Sequence, residues 1–404
     1  MAALTVQMLK NLTIVFLAIF VIQANARSLS TDEYLHLKKH LRSLNKPAVK
    51  SLQIEDGEIY DCVDIYKQPA FDHPALQNYT IPKIPTTLPL KRIASSPSNT
   101  SKRSTGIFVL PDGGCPEGTV PIRRVQMEDL LRAGSISNFG KKYVSNGGIG
   151  LNAGAPLPNT HHWARRESKP GGYYGTHVGI SIWQPRIFSN EKASSSQVWL
   201  LAGAGDDLNG IEAGLAVNKQ LFGDLKPRLF TYWTSDNYRK TGCFNLLCSG
   251  FVSVNQKIPL GFPMTPLSVR GGPQYSVGLD IYKDVAVWWL LVDDSVVGFW
   301  PQERFNRLNQ KAEKILWGGE VYNPRGTSDW PQMGSGAYAD QGYEAAAYMH
   351  QVMFSTDRKN YVDAPSDIGA FADNRCYSVG EVEFDGEDDV WRSYFYFGGP
   401  GGSC

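Results

Sequence analysis

The chain has 404 residues, enough for two or three domains and a large buried core. Its 40 basic residues balance 39 acidic ones to a formal charge of +1, which leaves no electrostatic footprint for a nucleic-acid partner. Aromatic residues at 12% and 40 glycines favour a β-rich, turn-rich protein over a coiled coil or a disordered chain.

At the N-terminus, Lys10 precedes an apolar run from Leu12 to Ile22, followed by small residues at Ala24 and Ala26. This is the pattern of a signal peptide, residues 1–26, cleaved after Ala26. The run falls short of the roughly 20 residues needed to span a bilayer, and no later segment is apolar enough to cross one. Secretion is therefore expected, to the apoplast, cell wall or vacuole, with no membrane association after signal cleavage. Export makes the six cysteines disulfide partners. Cys62 and Cys115 lie in the first third, Cys243 and Cys248 bracket a short loop, and Cys376 and Cys404 share the final segment, so local pairing in that order is expected. Beyond the signal peptide two sequons, Asn78 (N-Y-T) and Asn99 (N-T-S), are expected to be glycosylated on exposed loops.

The first expected element is a helix beginning at a Ser30–Glu33 capping box, with Tyr34, Leu37, Leu41 and Leu44 at helical spacing. Pro82 to Ser104 is rich in Pro, Ser and Thr and reads as an extended connection. A short helix follows in "RVQMEDLLRAG", stopped by Gly134, and Asn146 to Thr160 reads as a protease-accessible loop. Beyond residue 160 the pattern turns to strands. "PRLFTYWT" alternates Leu229, Thr231 and Trp233 against Phe230, Tyr232 and Thr234, and "YSVGLDIYKD" puts Val277, Leu279 and Ile281 on one face. Val285 to Pro301 reads as two strands joined at Asp293-Asp294, and one helical pattern runs from Gln302 to Trp317. These runs predict an antiparallel β-sandwich or barrel of roughly 240 residues rather than a doubly wound α/β sheet. The expected division is residues 27–150 as a helix- and loop-containing N-terminal segment and 151–404 as the β domain.

Several chemistries are excluded. There is no G-x-S-x-G elbow, H-E-x-x-H, Walker loop or strand-turn-helix G-x-G-x-x-G, and no D-T-G or D-S-G triplet. His161 and His162 are adjacent and ill placed to share a metal, while His177 and His350 are isolated and read as surface or hydrogen-bonded histidines. Every cysteine has a disulfide partner, which disfavours a thiol nucleophile. Carboxylates remain. Glu212 sits in "NGIEAGLAV" and Glu320 in "ILWGGEV", each among apolar residues with small residues beside it. A carboxylate buried there must be paired, neutralised or put to use. Two that approach each other cannot both ionise cheaply, so such a pair can supply acid and base together. From the residues alone, surface positions at strand ends remain the competing reading.

Longer stretches narrow the choice. Tyr60 to Ile81 and Gly114 to Ala133 resemble the activation peptide of plant neprosin-domain proteins. "IEAG", Gly223 to Val252 and "ILWGGEV" resemble the catalytic domain of the same family. The resemblance implies a secreted glutamic endopeptidase made as a zymogen, cutting after proline at acid pH, with Glu212 and Glu320 as its catalytic pair. It implies an antiparallel β-sandwich with the pair on a concave face, no metal or cofactor, and the pairings Cys62–Cys115, Cys243–Cys248 and Cys376–Cys404. Expected partners are peptide or protein substrates and the chain's own propeptide as an intramolecular inhibitor, on a monomer. Cleavage in the Asn146–Thr160 loop, where Pro156 and Pro158 lie, is expected to release it. One departure stands out: family members commonly have Trp where this chain has Leu215, which puts the proline preference in question. Two other readings of the same carboxylates are a glycoside hydrolase, with sugar stacked on Trp233, Trp288 or Trp289, and a non-catalytic cell-wall or carbohydrate-binding sandwich.

Overall fold

Strand alternation beyond residue 160 builds two sheets that share one core. The computed structural model describes residues 30–84, 109–142, 160–324, 328–373, 375–386 and 390–403. The signal peptide, Asn99, Pro156, Pro158 and Cys404 lie outside these. Five strands matter most and are labelled in chain order: β1 (His161–Glu167), β2 (Ala193–Ala202), β3 (Asn209–Asn218), β4 (Arg228–Thr234) and β5 (Lys314–Tyr322). They form the centre of a seven-stranded antiparallel sheet, ordered Gly369–Ala372, β1, β5, β2, β3, β4, Cys243–Phe244. A ten-stranded sheet packs on it, and their facing side chains interleave. Ile211, Ala213, Leu229, Ile315 and Trp317 come from the smaller sheet; Ile180, Leu279, Trp288, Leu290 and Phe395 come from the larger. The fold is thus mostly β, an antiparallel sandwich.

The hairpin at Asp293-Asp294 forms with both residues at positive φ, 44° and 64°, which is the turn whose twist suits two adjoining strands. The helix expected over Gln302–Trp317 does not form. Only Gln302–Arg304 makes a single turn, and the rest is a loop leading into β5. The cause is local. The buried Asn209 side-chain oxygen accepts hydrogen bonds from the backbone N–H groups of Asn306 (3.0 Å), Arg307 (2.8 Å) and Leu308 (3.3 Å), donors that a helix would have used. Ile315 and Trp317 then enter the core with strand period.

The N-terminal elements have their own construction. The helix Thr31–Leu44 is closed by the expected reciprocal cap: Ser30 N–H donates to Glu33 (2.9 Å) and Glu33 N–H to Ser30 Oγ (3.2 Å). None of its residues is buried. Ala48–Gln53, Ile59–Asp64 and Thr119–Arg123 make a three-stranded sheet stapled by a Cys62–Cys115 disulfide, with Leu52, Tyr60 and Leu110 as its small core. Downstream of Ile59–Asp64, Ala70 and Leu76 pack with Tyr282, Trp289, Leu291 and Phe299 on the outer face of the ten-stranded sheet. Gln68 closes that sheet's edge like a strand residue: its amide donates to Ser253 O (3.0 Å) and accepts from Ser253 N–H (2.7 Å). Asn78 is exposed. The second helix, Met127–Ala133, ends at Gly134 with φ 72°, as expected of a glycine stop.

Candidate active site

Alternation along β3 and β5 decides where the two glutamates point. Ile211, Ala213 and Leu215 enter the shared core, so Glu212, Gly214 and Ala216 lie on the opposite, outward face. Ile315, Trp317 and Val321 likewise enter the core, which sends Leu316, Gly318 and Glu320 outward. The apolar neighbours that frame each glutamate in the sequence therefore belong to the other side of the sheet. β2 runs between β5 and β3, and pairs Ser195 with Glu320, Gln197 with both Gly318 and Gly214, and Trp199 with Glu212. The two carboxylates thus approach along a diagonal across three strands, over two glycines.

Both are buried: Glu212 is 0% and Glu320 4% exposed. One ammonium joins them. Lys142 Nζ donates to Glu212 Oε2 at 2.8 Å and to Glu320 Oε2 at 2.7 Å, so the carboxyl groups are close enough to share a single small group. Glu212 also accepts from Tyr238 O–H on Oε1 (2.7 Å) and from the Gln197 amide on Oε2 (2.6 Å). Glu320 Oε1 lies 2.8 Å from His161 Nδ1. An ionised carboxylate only accepts, so with Glu320 charged this ring nitrogen carries the hydrogen. Beside the pair a pocket is lined by His161, Ser195, Ala216, Phe230, Phe244 and Tyr322.

The electrostatics follow from burial and pairing. Burial alone would push the Glu320 carboxyl up, but Lys142 and then His161 outweigh it and hold the carboxyl down to about 2. Burial also works against charge on Lys142, and the two glutamates reverse that and raise its pKa. Tyr238 is raised well above its ordinary value, by burial first and Glu212 second, so it stays a neutral donor.

The lysine is delivered by a fixed backbone. Gly140 O accepts from Phe244 N–H (2.8 Å), Lys141 Nζ donates to Gly242 O (2.7 Å), and Lys142 N–H donates to Tyr232 O–H (3.2 Å). Gly140 lies against the Cys243–Cys248 disulfide so closely that a Cβ there would sit 2.9 Å from the Cys248 sulfur. The short disulfide loop is therefore the seat of the backbone that carries Lys142.

A family model described as Neprosin matches residues 190–400, and one described as Neprosin activation peptide matches residues 51–165. The chain belongs to the neprosin family. Lys142 falls within the activation-peptide match, and both glutamates within the neprosin domain. Among solved structures, the chain is similar to scytalido-glutamic peptidase with a peptide-based transition-state analogue, at 9% identity over 58% of this chain and 97% of that one, TM-score 0.31. It is also similar to SCP-B, a member of the eqolisin family, in complex with the tripeptide Ala-Ile-His, at 7% identity over 58% and 96%, TM-score 0.30.

Two expectations from the sequence change. Leu215 faces the sandwich core, 4% exposed, so this departure from the family pattern does not lie on the face that carries the glutamates. Trp233, Trp288 and Trp289 are 3%, 0% and 0% exposed, which removes them as platforms for a sugar. His161, set aside in the sequence, touches Glu320. Lys142, Gln197 and Tyr238 also reach the glutamates without a motif in the sequence that marks them. Gln197 alone left a trace, a lone amide entering the apolar run "VWLLA". His177 is a hydrogen-bonded structural histidine, its Nδ1 2.9 Å from Asp280. Among the described residues no group of His, Cys, Asp and Glu is arranged to hold a metal.

Proposed function

We propose that this neprosin-family chain is a secreted glutamic endopeptidase, latent until its activation peptide withdraws, that cuts peptide bonds after proline at acid pH. The observation that carries this reading is the bridge from Lys142 to both Glu212 and Glu320. Two buried carboxylates gathered over glycines form a site that can hold one proton between them. A cation from the activation peptide seated between them holds Glu320 as a carboxylate and fills the space that a substrate carbonyl and a water need. Latency then has two parts, occupation of the site and removal of its acid.

With Lys142 withdrawn, repulsion between the buried carboxylates brings one proton onto the pair. The ionised member takes a proton from water as its oxygen bonds to the scissile carbonyl carbon, and the carbonyl π pair moves to oxygen. The protonated member gives its proton to the amide nitrogen. The C–N bond then breaks, leaving a carboxylic acid and an amine. Exactness of protonation matters: neither the doubly ionised nor the doubly protonated pair can do both jobs, so rate against pH is a bell on the acid side. The pocket walled by Phe230, Phe244 and Tyr322, with Ala216 beside them, supports a compact apolar side chain next to the cut bond. Removal of the peptide requires a break between Lys142 and β1, because β1 is an inner strand paired with β5.

The test uses the chain without residues 1–26, incubated from pH 3 to 7, beside Glu320→Gln. The wild type is expected to shed its N-terminal segment and cut a mixed peptide library after proline, and Glu320→Gln to do neither. If the wild type stays inert even after an added protease has removed the segment, the peptidase reading is wrong.

A further inference from the structure

Gln197 stands at the midpoint of the diagonal between the two glutamates, and nothing in the dyad mechanism above uses it. On β2 it lies two residues from Ser195, the partner of Glu320, and two from Trp199, the partner of Glu212. Its partners on both sides are glycines, Gly318 on β5 and Gly214 on β3. A Cβ at Gly214 would sit 2.6 Å from the Gln197 Cα and Cβ, and Gly318 has φ 150°, a backbone that side-chain-bearing residues rarely adopt. The glycines therefore leave the Gln197 carboxamide as the one side chain rising from the floor of the site in that row. It is 1% exposed and lines the pocket that also holds Lys142, His161 and Glu320.

We propose that Gln197 is a third catalytic group: one amide hydrogen binds the scissile carbonyl oxygen as negative charge develops on it. This rests on the peptidase reading. The Gln197 nitrogen has two hydrogens. One is given to Glu212 Oε2 at 2.6 Å, the oxygen that also receives Lys142, and the other has no acceptor among the described residues. A buried amide with an uncommitted hydrogen is normally matched by a ligand or water. The chemistry favours an amide over a cation here. A lysine or arginine at this place would favour the charged form of any carboxylate beside it and so work against the acid. A neutral donor stabilises the oxyanion and leaves the shared proton in place. In the step itself, water's oxygen bonds to the carbonyl carbon, its proton passes to one glutamate, and the carbonyl electron pair shifts to the oxygen that Gln197 holds. The same electron pair returns as the C–N bond breaks.

The variant is Gln197→Met, close in size and without a donor, processed by added protease and compared with wild type, Glu320→Gln and Tyr238→Phe. Loss of an oxyanion donor should lower kcat about 10²–10³-fold at every pH, with KM little changed. Tyr238→Phe removes the other neutral donor to Glu212 and calibrates what mere support of that carboxylate contributes. If Gln197 only supports Glu212, both variants shift the pH profile alike and recover their rate at a new optimum, and the proposal is wrong. Should the Met variant fail to fold, Gln197→Asn replaces it; that variant keeps the amide but draws it back by one methylene, and wild-type kcat from it would also overturn the proposal. An inert wild type indicts the peptidase reading instead, whereas an active wild type with an equally active Gln197→Met indicts this inference alone.

Discussion

In the proposed mechanism, Lys142 is the residue on which latency and pH dependence meet. Its ammonium is one reason the Glu320 carboxyl is held at about 2 against the ordinary 4.5. A carboxyl lowered by folding contributes stability that is full above the unfolded value and is lost as pH falls through the folded one. The seated lysine is therefore secure above about 4.5 and loosens progressively as pH falls towards 2. Acid processing is expected to accelerate through that window. Replacing the lysine separates the two effects. In Lys142→Ala the intact, uncut chain should cleave peptides without a lag, because no side chain fills the space between the glutamates and nothing cationic holds Glu320 ionised. It should also be less stable at pH 7 by about 3–5 kcal/mol, the usual result of leaving buried charges without their partner. The deficit should shrink in acid as the carboxylates take up protons. Denaturant melts at pH 7 and pH 4 measure it, and an equal deficit at both would count against this electrostatic account.

At the scale of elements, strands place the site and glycines make room in it. Gly214→Ala directs a methyl group at the Gln197 backbone across an antiparallel pair, where neither strand can shift without moving a glutamate. Overpacking of this kind costs about 1–3 kcal/mol, and the expected readout is a lowered melting temperature together with a loss of activity larger than stability explains. Much of this layer is legible in the sequence. The period-2 runs Arg228–Thr234 and Ser276–Asp284, the Asp293-Asp294 turn and the Ser30–Glu33 cap all form where the pattern puts them, because local alternation and turn chemistry agree with the fold. The Gln302–Trp317 pattern misleads because a distant side chain, Asn209, takes the backbone donors that the helix would need. The site is legible only in its carboxylates. Glycine and small residues beside Glu212 and Glu320 signal close approach, whereas Lys142, Tyr238 and His161 come from loops and a strand end brought in by tertiary contacts that no local spacing encodes.

Over the whole molecule, the activation peptide holds the enzyme at two places on opposite sides of the sandwich. Lys142 occupies the outward face of the seven-stranded sheet, while Ala70 and Leu76 cover the outer face of the ten-stranded one. Between these, Glu58 pairs with Arg228 at 2.8 Å and with Arg123 at 2.8 Å, and Arg228 is itself buried, 1% exposed. The two disulfides whose partners are both described each close within one part, Cys62–Cys115 in the activation peptide and Cys243–Cys248 in the enzyme domain, so neither ties the two together. Apolar cover over Trp289, Leu291 and Phe299 lies on the sheet that does not carry the glutamates, and removing it uncovers apolar surface of the kind that drives association. It follows that the domain from residue 160 to 404, produced alone, should refold in low yield and aggregate. Supplying residues 27–142 as a separate chain at neutral pH should raise the soluble yield severalfold, through the apolar face and the Glu58–Arg228 pair. Lys142→Ala in that separate chain should leave its folding assistance intact while abolishing its inhibition, which separates the two docking places by experiment. Equal yields with and without the separate chain would mean that the outer face needs no cover and that the activation peptide acts at the dyad alone.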